Sequence, residues 1–527
     1  MQKITKFASL LMAMLLLIGL MAGCGGSTQD SSGAISNAGS GDVSQEEDAS
    51  DTESIDTTDN PTTSDAVNAD SNVPDNTSKG NGSGSGNSNS NSNSNGSGNI
   101  PSSDAAKWGT EAGTTSVKKT PAWMKNIKSG EIKVLAADAY GEGVENDTYR
   151  EEKALFKALT GKELKITTKV VEWNSLRSNL QTMVLANDAP DLFSIYNGVG
   201  TYLRNKNLTR DIRDYINMND AAWKDMQKYS EPLFYNGVLT GVCVADPMIG
   251  YGILYNKTLI NQAGLEDPFA LYEKGQWDIL KFLEYVEELT VDQNHDNIPE
   301  VFGVSLQYES IFRMSCASGI DMVTINNDGT ITNNLRNPIF TRWAGYARKI
   351  AELGSYDSEP WTAGTRFYQN KVAMMTAAWP TLYGSEKAIE WKKANKLGWV
   401  PSPKDINTKT HYHLAEATYT FLPKNSKNPE GAAAYIYMKR YSDLNPSATS
   451  EAKKKTKFLN EYGFTEKEYQ FYNNINKNKT LVPVLHNWQH IPDFNYYDLA
   501  GVYTQDWNVL VEWAYPSLQA AIDKQNK

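Results

Sequence analysis

Residues 164–196 read LKITTKVVEWNSLRSNLQTMVLANDAPDLFSIY and hold a full strand–helix–strand cycle. Leu164 to Val171 is rich in β-branched residues and reads as a strand. Leu176, Leu180, Met183 and Val184 recur at helical spacing within Leu176–Leu185. Ala189-Pro190-Asp191 breaks that helix, and Leu192 to Tyr196 reads as another strand. Moving outward, Glu131–Ala137 (EIKVLAA) is a strand, and Gly141 and Gly143 open a loop after it. Asp147-Thr148 starts a helix with Glu151 and Glu152 in its first turn. Leu155, Phe156 and Leu159 share one face of it, and Gly161 ends it. The β-α-β-α-β order predicts an α/β fold with a largely parallel sheet and helices on both faces. Ligands of such sheets bind at the carboxyl ends of the strands. The loops Asp138–Gly143, the segment after Val171, and Tyr196–Gly200 lie there.

The chain has 527 residues, enough for two or three domains. Net charge is −11, but it is uneven: residues 1–105 carry 13 acids and 3 bases, leaving 49 and 48 for the rest. A nearly neutral body argues against nucleic acid as a partner. Three cysteines exclude a disulfide scaffold.

The N-terminus, MQKITKFASLLMAMLLLIGLMAGC, has Lys3 and Lys6 before an apolar run from Leu10 to Met21. The run suits a signal peptide better than a spanning helix. Ala22-Gly23-Cys24 resembles the lipobox of bacterial lipoproteins, with Met21 where Leu is usual. That resemblance implies cleavage before Cys24 and lipidation of its sulfur, hence a lipid anchor at the extracytoplasmic face of the cell membrane. Residues 25–120 follow as a Ser/Asn/Gly/Asp-rich stalk, expected to be disordered because it has too little apolar surface to offset ordering entropy.

Several segments of the body resemble, in order, the extracellular solute-binding proteins of ABC importers, in the branch that includes maltose- and oligosaccharide-binding proteins. They are VLANDAPDLFSI (184–195), LYNKTLINQAGLEDP (254–268), GQWDILKFLEYVEELT (275–290), NKVAMMTAAWP (370–380), GWVPSPK (398–404) and LPKNSKNPEGAAAYIYMKR (422–440). Asn370 stands where the family usually has Gly. The resemblance implies a two-lobed clamshell of the type II periplasmic-binding-protein kind, with the ligand between α/β lobes. Lobe 1 is expected at 121–248 and about 418–480, lobe 2 at 249–417 and about 481–527. It implies a monomer that performs no covalent chemistry and hands a solute, a carbohydrate in this branch, to an ABC permease.

Sugars present apolar faces and polar edges, so their sites combine aromatic platforms with polar side chains. The 13 Trp and 28 Tyr suit this, although core packing claims many of them. By family position, Trp379 matches a ligand-stacking aromatic, and Tyr196 and Asn197 match polar contacts. Asp138 and Tyr140 end the first strand, Trp173 follows the second, and Tyr251 adjoins the first crossover between lobes. Tyr308 and Glu309 follow a strand at Val301–Leu306, and Trp361 lies in a Gly/Thr-containing loop. The aromatic stretch 486–518 either packs on lobe 2 or completes the cleft through Trp488 or Trp507.

Residues 292–303, DQNHDNIPEVFG, resemble a calcium loop. Asp292, Asn294 and Asp296 take positions 1, 3 and 5, Ile298 offers its carbonyl at 7, and Glu300 falls at 9. Asn297 replaces the usual Gly, and Gly303 replaces the final bidentate Glu. Some family members bind structural calcium in a similar loop; the alternative is a polar turn between helix and strand. His411/His413 and His486/His490 have zinc-like spacing without a third ligand. Cys243 and Cys316 either pair or remain free thiols. Three functional readings remain besides sugar import: a non-sugar solute in the same fold, a sensor input, and a surface glycoside hydrolase, which needs two carboxylates ~5–10 Å apart.

Overall fold

The computed structural model describes residues 120–137, 147–172, 175–196, 200, 203, 206–475, 481–485, 487–488 and 491–527, with backbone only at Asp147, Tyr196 and Thr449. The anchor and stalk expected at 1–24 and 25–120 therefore lie outside the described residues, save Thr120.

Lobe 1 is built on β1 (Glu131–Ala137), β2 (Lys165–Val171), β3 (Leu192–Tyr196), β4 (Val242–Cys243) and, from much later in the chain, β10 (Thr418–Phe421). Lobe 2 carries β5 (Tyr251–Asn256), β6 (Phe302–Ser305), β7 (Val372–Ala378), β8 (Leu397–Pro401), β9 (His411–Ala415) and β11 (Leu481–Leu485). The first sheet runs β2-β1-β3-β10-β4. Its β2, β1 and β3 are parallel, as the sequence predicts, and β10 and β4 add antiparallel pairs. Val134 through Ala137 of β1 are all buried, the near-continuous apolar run of a strand covered on both faces.

Asp191 shows why the Pro-Asp breaker sits where it does. Its carboxylate accepts Lys133 N at 2.9 Å from β1, and Ser426 Oγ at 2.8 Å and Asn428 N at 2.9 Å from the returning chain. One buried acid thus locks an early turn to the start of helix Pro429–Leu444, which Asn428 caps. Ala432 to Met438 of that helix complete the lobe 1 core.

The second sheet runs β8-β5-β7-β6. β5 is antiparallel to both neighbours, and β7 is parallel to β6. A Cβ at Gly252 would lie 2.3 Å from Val400 O and 2.4 Å from the Trp399 ring, so only glycine lets β5 and β8 approach here. Asp278 caps helix Ile279–Leu289, whose Phe282, Tyr285, Val286 and Leu289 face the lobe 2 core. Trp277 anchors its start by donating to Pro401 O at 3.0 Å.

The lobes are joined by the chain around 244–250, around 416–417 and, after helix Pro429–Leu444, around 445–447; the first two lie side by side. These two bond to each other: Met248 N donates to Glu416 O at 2.8 Å, and Glu416 N to Met248 O at 2.9 Å.

The C-terminal part departs from expectation. Residues 448–475, assigned to lobe 1 from the sequence, pack on lobe 2. Phe458, Tyr462, Phe464, Tyr469 and Tyr472 join Trp391, Leu397 and Trp399 in one buried cluster. The physical cause is an aromatic face reinforced by a buried ion pair, with Lys392 Nζ 2.7 and 2.8 Å from the two Glu468 oxygens. The chain then adds β11 beside β9 and ends in helix Trp507–Asn526 on the lobe 2 core. Trp488 and Trp507 are buried against Phe312 rather than completing the cleft. Cys243 and Cys316 are free, buried thiols in different clusters, so they do not pair.

Candidate functional site

The carboxyl ends of β1, β2 and β3 are Ala137, Val171 and Tyr196. The candidates beyond them, Asp138, Tyr140, Trp173 and Asn197, lie outside the described residues, as does the Tyr196 side chain. The lobe 2 half of the site is described. Strand register pairs Ala378 with Tyr251 and Met375 with Ser305. This brings the end of β6, the end of β7 and the start of β5 to one edge of the sheet, beside the crossovers.

At that edge Tyr251 and Glu309 come together with two residues the sequence reading missed, Arg313 and Glu416. Glu309 sits at the cap position of helix Ser310–Ser315, one turn before Arg313. The Arg313 guanidinium lies 4.1 Å over the Tyr251 ring centroid, and its Nη2 is 4.0 Å from Glu309 Oε1. Glu309 is 4% exposed and Arg313 6%. Burial opposes the Arg313 charge, but Tyr251, Glu309 and Glu416 outweigh it and hold its pKa above the ordinary value. Burial likewise pushes the Tyr251 phenol up, against the pull of Arg313.

Glu309 Oε2 is buried and has no hydrogen-bond partner. An unsatisfied buried acceptor costs ~1–3 kcal/mol, more when charged. A charge so placed, beside a cation and a ring face, is suited to accept a proton donor from a bound solute. The missed Arg313 had a local signal, its i,i+4 spacing from Glu309 on a helix. Glu416 had none, because its place depends on the crossover pairing.

The other candidates are placed as follows. Tyr308 packs with Tyr496 and Tyr497, ring centroids 6.0 and 5.2 Å away. Trp379 stacks on Tyr472 at 5.5 Å and 7° and touches Phe458 and Tyr383, so the C-terminal segment supports it. Trp361 stands on the surface, 60% exposed.

The loop at 292–300 is closed by its own backbone. Asp292 Oδ2 accepts Asn297 N, Asn294 Oδ1 accepts Asp296 N, Asp296 Oδ1 accepts Ile298 N and Glu300 Oε2 accepts Gln293 N, at 2.8–3.0 Å. His295 and Asn297 take positive φ to make the turn. Asp292 Oδ1 alone is buried without a partner. Among the described residues, no group of three or more His, Cys, Asp and Glu is gathered to hold a metal. In this arrangement four of the loop's side-chain oxygens are held by its own backbone N–H groups, and Asp292 Oδ1 is buried without a hydrogen-bond partner.

His411 and His413 lie 4.3 Å apart on β9. His411 Nε2 meets Ser402 O at 3.0 Å, and His413 is fully buried with neither ring nitrogen hydrogen-bonded. Burial lowers His411 to about 4 and His413 well below its usual value. His486 and His490 lie outside the described residues.

The fold is similar to an ABC substrate-binding protein of Listeria monocytogenes, Lmo0181, solved in complex with cycloalternan: TM-score 0.51, 17% identity, 76% of this chain and 98% of that one. It is similar to UspC of M. tuberculosis: TM-score 0.52, 16% identity, 74% of this chain and all of that one. It is similar to the cyclic alpha-maltosyl-1,6-maltose binding protein of Arthrobacter globiformis: TM-score 0.54, 12% identity, 75% of this chain and all of that one. No curated protein matches at a significant level. Among the described residues, no helix is long and apolar enough to cross a membrane. The sequence profile of the bacterial extracellular solute-binding proteins matches residues 142–437, more than half of the chain, and the chain belongs to that family.

Proposed function

We propose that this protein captures a carbohydrate, an oligosaccharide, outside the membrane and delivers it to the permease of an ABC transporter. In this reading Cys24 carries the lipid anchor, and the stalk sets the body's reach. Two of the similar folds are described with cyclic or maltosyl oligosaccharides, which favours a sugar over other solutes. The observation that carries the reading is Glu309. It is a buried acceptor with an unused oxygen, beside the Arg313 guanidinium that covers the Tyr251 ring, near the crossovers where a solute touching both lobes drives hinge closure. Trp379, Tyr308 and the loops after β1, β2 and β3 are the proposed further contacts.

The test is a thermal-unfolding screen of the whole chain against mono- and oligosaccharides, peptides and polyamines. A ligand at 100 times its dissociation constant adds ~2.7 kcal/mol of stability. A rise with one sugar class, without turnover of that sugar, supports the reading. A rise only with peptides or amines contradicts it and leaves the fold standing. Calcium is a separate proposal, resting on Asp292 Oδ1. Calcium added after chelation is expected to raise the unfolding temperature of the wild type and not of Asp292→Ala. An unresponsive wild type reduces the loop to a turn.

A further inference from the structure

The C-terminal segment, beyond the family-matched residues 142–437, builds a groove on lobe 2 of about 560 Å³. Its walls include Tyr497 and Trp513, with Asn495, Asp498, Gln505 and Val509 between and beside them. Trp513 is 62% exposed and Val509 64%, on the outer face of helix Trp507–Asn526. The polar groups are positioned. Asn495 Nδ2 donates to Asp498 Oδ1 at 2.8 Å, and Gln505 lies against Gly501, where an added Cβ would come within 2.7 Å of the Gln505 amide carbon. A large apolar residue held open to solvent beside amides and a carboxylate is the chemistry of a site for a hydroxylated ring.

The groove is also continuous with the cleft edge. Tyr497 stacks on Tyr496 at 4.7 Å, and both rings lie within 6.0 Å of Tyr308, which follows β6. A run of aromatic faces therefore leads from the proposed binding edge to the groove. We propose that the groove is a second carbohydrate subsite, which holds the outer units of a long oligosaccharide while its end occupies the cleft. The inference rests on the carbohydrate reading and deepens it. The groove is open and mainly apolar, with the bonded Asn495–Asp498 pair and the Gln505 amide beside its rings, and rings flanked by polar groups suit a sugar chain.

The test compares short and long members of matched series on the whole chain: maltose and maltoheptaose, mannobiose and mannoheptaose, xylobiose and xyloheptaose. In at least one series the long member is expected to bind roughly tenfold tighter than the short one. Trp513→Ala is expected to remove most of that gain and leave the short sugar's affinity unchanged. Val509→Arg, which obstructs the groove from an exposed position, is expected to do the same. If short sugars bind and neither variant weakens the long one, or if long and short bind equally, the groove proposal fails while the carbohydrate reading stands. If no member of any series binds, both fail.

Discussion

Two buried charge clusters in lobe 2 differ in a way that separates structure from function. Lys392 and Glu468 form a closed pair. Both Glu468 oxygens reach the ammonium, and Thr465 N and Oγ1 donate to Oε2 at 2.9 Å in the capping box of helix Glu466–Asn473. Burial raises the Glu468 carboxyl, but Lys392 and Thr465 outweigh it and hold the pKa below the usual range. Glu309 and Arg313 form an open pair, 4.0 Å apart, with one Glu309 oxygen unused. The closed pair has both carboxylate oxygens engaged and fastens the 448–475 segment to its lobe. The open pair lies at the lobe crossovers and keeps an acceptor in reserve.

The sharpest way to break this contrast is to remove one partner from each pair. Glu468→Ala strands Lys392, which is 3% exposed, and is expected to cost ~3–5 kcal/mol in denaturant unfolding. A loss below 1 kcal/mol would show the pair to be incidental. Glu309→Gln takes one of two carboxylates from beside the buried Arg313 and is expected to cost less than Glu468→Ala, because Glu416 and the Tyr251 ring still face that cation.

Acid tests a third set of buried titratable groups in lobe 2. His411 and His413 are buried neutral, with pKa values below that of the unfolded chain, near 6.5. The unfolded state then binds more protons, so stability falls as pH drops from about 6.5 towards 4. The loss is on the order of 3 kcal/mol for His411. His413→Phe is expected to flatten this fall in unfolding curves taken across that window; an unchanged slope would mean that the buried imidazole does not control it.

Affinity effects come next. Losing the Glu309 charge is expected to weaken ligand binding by ~1.5–3 kcal/mol, the worth of a charge-assisted hydrogen bond. Trp379→Ala has the smallest expected effect on affinity, ~1 kcal/mol. Here the readout decides between roles. A lowered unfolding temperature with full affinity would make Trp379 a prop for Tyr472, and the reverse would make it a ligand platform.

The same contrast explains what was legible in the sequence. The β1–β3 unit was readable because helix periodicity and the Pro190-Asp191 breaker are local signals, and Asp191 turned out to bond three backbone or hydroxyl donors at that point. The placement of 448–475 was not readable. Phe458, Tyr462 and Tyr472 give an apolar face, but nothing local says which lobe covers it, and Lys392 is 76 residues from Glu468. In the site, Tyr251 and Glu309 were found from strand ends and family position. Arg313 shares a helical turn with Glu309 and was overlooked, and Glu416 becomes visible only once Met248 pairs with it. Asp138, Tyr140, Trp173 and Asn197 lie outside the described residues.

The most direct test of the central claim is calorimetric titration of oligosaccharides into the wild type and Glu309→Gln side by side. The account predicts saturable binding of one oligosaccharide class to the wild type and at least roughly tenfold weaker binding to the variant, at a temperature where both proteins are folded. Equal affinities in the two proteins, or no binding of any oligosaccharide to the wild type, would contradict it.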